Sequence, residues 1–143
     1  AEAFKALNQW KKYRKINLDM NDKRDVENHN ASNYATEAWM HTLFGEYSKA
    51  KTKLDEHYSI LKDRESAGAL DNYKGIYGMI YVMQGNPEKA LEYFDDRIEP
   101  ANYQYYSYFK ALALKASGKQ DEAKKIFEFI DNKIFASDIR FFS

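Results

Sequence analysis

The chain has 143 residues, 44% hydrophobic and 31% charged, with a formal net charge of zero. That length suits one domain with a useful core, and the neutral balance provides no long-range field toward nucleic acid or an anionic membrane. Cysteine is absent, which excludes disulfides, thiolate metal sites and thiol nucleophiles, and no apolar run approaches the length of a membrane span.

The chain begins at Ala1 with no recognisable signal peptide, as expected of a processed protein or a piece of a longer one, and the compartment is left open. Ala3, Phe4, Leu7, Trp10 and Tyr13 recur at helical spacing, so a helix is expected over 2–16. Residues 17–30 are polar and rich in Asn and Asp, and read as a loop with at most a short helical turn. Ser32 or Asn33 is expected to cap the next helix, which runs to about Phe44. A partner helix follows over about 47–62. A break at 64–68 precedes a helix over about 70–84.

The boundary signals at 84–88 are the strongest in the chain. Gly85 suits a helix C-terminus, Asn86 an N-cap and Pro87 the first helical position. Glu88 then complements the helix dipole. That helix should stop before Pro100. Two more are expected at about 103–117 and 119–134, separated by Gly118. No strand pattern competes, so the chain reads as all-α.

Three segments repeat one spacing: Gly45, Ala50 and Leu54; Gly85, Ala90 and Phe94; Gly118, Ala123 and Phe127. A glycine ends one helix and a new helix starts just after it. The alanine lets the second helix approach the first, and the large residue four positions on fills the same face. The expected architecture is a stack of antiparallel helical hairpins.

On these residues the chain resembles the tetratricopeptide repeat family over about residues 31–136. The middle unit fits best, with Tyr77, Gly78, Tyr81, Ala90, Phe94 and Pro100. The last keeps Ala111, Leu114, Ala123 and Phe127, with Lys110 at a usually apolar place. The first keeps Tyr34, Ala38, Ala50 and Leu54, with Glu37 and His41 as departures. The resemblance implies a right-handed superhelical solenoid. Its parts would be an N-terminal helix and polar connection (1–30), repeats at 31–70, 71–103 and 104–136, and an apolar ending at 137–143.

The resemblance also implies a concave groove lined by the first helix of each hairpin, which takes a peptide or helix of a partner protein. The implied groove residues are Trp39, Asn72, Met79, Val82, Tyr105, Tyr108 and Leu112, with Thr42 and Gly75 beside them. Apart from Asn72 they are mainly apolar, which speaks against gripping a terminal carboxylate. The helix at 70–84 is apolar nearly all round and must be covered on more than one side. Met and Tyr suit adaptable contact surfaces, although the same residues would serve as core if helix 2–16 folded across them. The apolar ending, Ile130, Ile134, Phe135, Ile139, Phe141 and Phe142, would tuck back onto the last hairpin or meet another molecule.

Chemistry is sparse. His29, His41 and His57 fall on different elements without ligand spacing, so neither a metal nor a cofactor is expected. The i,i+4 pairs Glu37–His41 and Asp25–His29 read as surface charge partners. There is no phosphate-cradling loop or nucleophile turn, and no catalytic residue is assigned. The basic stretch Trp10–Lys15 reads as a solvated helix face, blunted by Asp19, Asp22, Asp25 and Glu27. The expected function is a non-enzymatic adaptor, chaperone or scaffold that binds protein or peptide, not nucleic acid or membrane. Self-association, or a structural role inside a larger protein, is the alternative.

Overall fold

In the computed structural model, which describes residues 1–18 and 23–142, the chain is all-helical. Seven helices stand among the described residues: α1 (Glu2–Leu18), α2 (Lys23–Leu43), α3 (Tyr47–Leu61), α4 (Asp71–Met83), α5 (Pro87–Tyr93), α6 (Gln104–Ala116) and α7 (Gln120–Phe142). They belong to two compact units, Ala1–Tyr73 and Lys74–Ser143.

The repeated glycines act alike. Gly45, Gly85 and Gly118 have φ of 74°, 76° and 82°, a region that costs other residues a Cβ clash. Each closes a Schellman motif. The N–H groups of Glu46, Asn86 and Lys119 reach back to the carbonyls of His41, Tyr81 and Leu114 at 2.9, 2.9 and 2.8 Å. The glycine N–H groups take the carbonyls of Thr42, Val82 and Lys115. Glu46, Asn86 and Lys119 then begin the next helix, because their carbonyls accept from Ala50, Ala90 and Ala123. Asn86 adds a side-chain cap, its Oδ1 accepting from the Lys89 N–H at 3.2 Å. Reversal is therefore built into a three-residue connection. Ala50 and Ala90 are fully buried and Ala123 is 2% exposed, as a close helix crossing requires.

In the first unit α2 and α3 form the hairpin. Ala31, Ala35, Ala38 and Met40 face inward from α2, and Ala50, Leu54 and His57 from α3. Full burial of a side chain like Leu54 is worth about 1.5–3 kcal/mol. His57 Nδ1 donates to the Ala31 carbonyl at 2.7 Å and ties the two helices. α1 lies antiparallel on α2, with Phe4 against His41 and Phe44 near one end and Trp10 against His29 near the other.

Several expectations for this unit are corrected. Residues 23–30 are helix, continuous with α2, so Ser32 and Asn33 lie inside it and cap nothing. The low helix propensity of Asn and Asp is overridden by tertiary contacts: His29 is buried against Trp10 of α1, and Glu27 takes Arg64 at 2.9 Å. Glu37 does not take His41. It holds Lys11 of α1 and Lys53 of α3, while His41 turns to Glu46.

In the second unit α5 packs on α6 and α6 on α7. Ala90, Phe94, Ile98 and Ala113 form one buried cluster, with Tyr81, Val82, Tyr106 and Phe109 packed around it. Ala111, Leu114 and Ala123 form another, with Ile126 and Phe127. Gly75 and Gly78 let aromatic rings sit on the α4 backbone, since a Cβ there would overlap the rings of Tyr106 and Phe94. α5 ends at Tyr93, well before Pro100. α7 runs on past 134; Ile130 of its apolar ending is buried, and the side chains from 134 on lie outside the described residues.

Candidate functional site

The groove residues inferred from the sequence fall in different settings. Trp39, on α2 of the first unit, is half-buried and engaged in a contact of its own. Asn72, in the first turn of α4, is exposed and also engaged. Met79 is corrected to a core residue. It is 0% exposed among Ile76, Tyr77 and Ile80, and offers nothing to a ligand. Val82 is half-buried and packs against the Ala90–Phe94 cluster.

Tyr105, Tyr108 and Leu112 stay together. Steps of three and four put them on one face of α6. The opposite side of α6 buries Ser107, Ala111, Ala113 and Leu114, which fixes the outward direction of the tyrosines. Tyr105 and Tyr108 remain 45% and 46% exposed, and Leu112 is half-buried. The face spans about two turns, and the helix then ends in the Gly118 Schellman motif and reverses into α7.

The rings are braced from below. Phe109 meets Tyr105 at 5.4 Å and Tyr108 at 5.7 Å, the second pair at 90°. Phe127 of α7 meets Tyr108 edge-on at 5.8 Å. Edge-to-face contacts of this kind contribute about 0.5–1.5 kcal/mol each beyond area burial. Beside Phe127 lies an open cavity of about 370 Å³, walled by Lys115, Asp121, Lys124, Glu128 and Asp131. The face therefore has a stiff aromatic ridge and a charged hollow of mixed sign next to it.

Phe109 and Phe127 belong to this face although the sequence did not single them out as contact residues. Phe127 is legible as the large residue of the third repeated step, and Phe109 directly follows Tyr108 in the chain. Neighbouring Tyr106 points inward. Burial, then the phenols of Tyr103 and Tyr105, push its own phenol well above the ordinary tyrosine range, so it stays protonated.

Among the described residues no group of three or more His, Cys, Asp or Glu is placed to hold a metal. No helix described is long and apolar enough to cross a membrane. A second hollow, of about 530 Å³, lies in the first unit between Arg24, Asn28, Asp63 and Arg64, where Arg64 is already held by Glu27. Comparison of the chain with protein-family models, curated proteins and solved structures finds no match in any of the three.

Proposed function

We propose that the chain is a non-catalytic interaction module of tetratricopeptide-like build, which takes an extended or helical peptide of a partner protein against the α6 face. The observation that carries this reading is the pair Tyr105 and Tyr108, each nearly half exposed and one turn apart on a braced aromatic ridge. Aromatic side chains held rigid on a helix give large contact area at low entropic cost, and they are enriched at binding hot spots. Leu112 extends the ridge, and Lys115 and the cavity carboxylates set register. The repeated glycine and alanine steps support the family resemblance.

The test is selection of peptides on the intact chain, followed by Tyr105→Ser and Tyr108→Ser. Each substitution should weaken a selected peptide about tenfold or more, the scale of a hot-spot aromatic, with helicity unchanged. Equal binding by the double variant would sink the reading. Phe129, 42% exposed on α7, favours a second reading in which α7 mediates self-association. Light scattering over a range of concentrations separates the two: a tight dimer lost in Phe129→Ser supports self-association.

A further inference from the structure

α1 is held by a narrow strip. Phe4 lies 4.6 Å from the His41 ring and 5.9 Å from Phe44, Leu7 is buried, and Lys11 pairs with Glu37. The far end rests on His29, whose ring centroid is 6.1 Å from that of Trp10. Most other side chains described on α1 face solvent, Tyr13 being 74% exposed.

His29 is only 8% exposed, and the amide of Asn33, itself 8% exposed, donates to its Nε2 at 3.0 Å. That places the ring proton on Nδ1. Nδ1 and the Asn33 Oδ1 are both buried and make no hydrogen bond within the protein. The charges that α1 brings near the ring are cations: Lys11, and Arg14, whose guanidinium lies 4.9 Å from the Trp10 ring centroid. On its own helix the carboxylate one turn away is Asp25, which is exposed. His41, at the other end of the strip, differs because its Nδ1 has the Glu46 carboxylate as a partner at 2.5 Å.

We propose that His29 makes the docking of α1 pH-sensitive, so that a proton on this ring favours release of α1 from α2. A charged imidazole would occupy a buried place beside two cations, and its added proton, on Nε2, would meet the N–H donors of the Asn33 amide and break that bond. Burial, then Arg14 and Lys11, hold the ring below its ordinary value of 6.5 while α1 is docked. Once α1 leaves, the ring is in water and returns toward that value. Docking is therefore at full strength above about pH 6.5 and weakens as the pH falls below it. Release uncovers Phe4 and Leu7 on α1, and the strip formed by His41 on α2 and Phe44 just past its end.

The test uses the full chain with Trp39→Phe, which leaves Trp10 as the sole tryptophan. Acrylamide quenching of Trp10 should rise about twofold between about pH 7.5 and about pH 5, since the ring is 42% exposed when docked. His29→Gln, a neutral side chain that still bonds, should abolish the rise. Arg14→Gln, at an exposed position, should make it smaller. A flat profile for the parent, or an unchanged rise in His29→Gln, overturns the proposal. Amide exchange over residues 3–15 in the chain that keeps Trp39 reads the same event. Corrected for intrinsic rates, acid should speed it in the parent and not in His29→Gln, and equal acceleration in both would also overturn it.

Discussion

The ammonium of Lys110 donates to the carbonyl oxygen of Ile98 at 3.1 Å, and it donates to that of Asp95 at 3.0 Å. The half-buried place of this lysine on α6 is thereby explained. It collects the carbonyls of the turn that follows α5. Asp95 reinforces the turn by taking Lys74 and by accepting from the Arg97 N–H at 3.0 Å. Its carboxyl is held below the usual range even though burial works in the opposite direction, because Lys74 and the Arg97 N–H favour the anion. Lys110→Met keeps the stem and removes the donors. It should cost about 1–3 kcal/mol, the scale of orphaned, partly buried acceptors, read as a lower urea midpoint. A loss below the error of the measurement would show that water replaces the ammonium without penalty.

Two kinds of glycine should respond differently to alanine. At Gly85 φ is positive but the space around a Cβ is open, so Gly85→Ala should cost about 1–2 kcal/mol of backbone strain. At Gly78 the new methyl would overlap the ring of Phe94, which is 3% exposed and hemmed in by Ala90 and Ile98. Gly78→Ala should cost more, about 3 kcal/mol where the ring has nowhere to move. Parallel urea titrations decide the order, and a milder Gly78→Ala would mean that α4 and Phe94 can separate cheaply.

His57 predicts an acid-sensitive hairpin. Its Nε2 is buried without a partner, and burial holds the imidazole below 6.5 against the opposing pull of the Ala31 carbonyl. Below about pH 6.5 the unfolded chain takes a proton that the folded chain resists, so stability should fall with pH from there down to the folded-state value. Above that window the contribution is complete. His57→Asn should lose about 1 kcal/mol at neutral pH by weakening the bond to Ala31, and its stability should depend less on acid. His29 acts with the same sign, so the comparison belongs in a His29→Gln background. Parallel pH profiles with and without His57 would refute the assignment.

The glycine and alanine steps are legible because Gly118 takes a positive φ and Ala123 is buried where two helices cross. Residues 23–30 were misread because propensity is local, while the burial of His29 under α1 and the Glu27–Arg64 pair are not. Met79 was misplaced for another reason. α4 is apolar nearly all round, so periodicity could not say which side meets the core. The exposure of Tyr105 and Tyr108 follows from the buried stripe that α6 carries through Ser107, Ala111 and Leu114. The bracing rings, Phe109 and Phe127, matter through tertiary contact, which spacing along one helix does not report.

Glu37 ties three helices and gives the last prediction. Its side chain, on α2, is 12% exposed, with Lys11 of α1 on one oxygen and Lys53 of α3 at 3.0 Å on the other. Burial, then Lys53, lower the pKa of Lys11, so this cation depends on the carboxylate for company. Glu37→Gln leaves two ammonium groups facing a neutral amide. The expected loss is about 1–2 kcal/mol, between that of an exposed pair and a fully buried one. Lys11→Met should partly restore it, because repulsion between the two lysines disappears. A double-mutant cycle on Glu37 and Lys11 should therefore return a coupling well above about 0.5 kcal/mol, the scatter expected of independent sites. A coupling within that scatter would mean that α1 is held by its ring and apolar contacts through Phe4, Leu7 and Trp10, not by this ion pair.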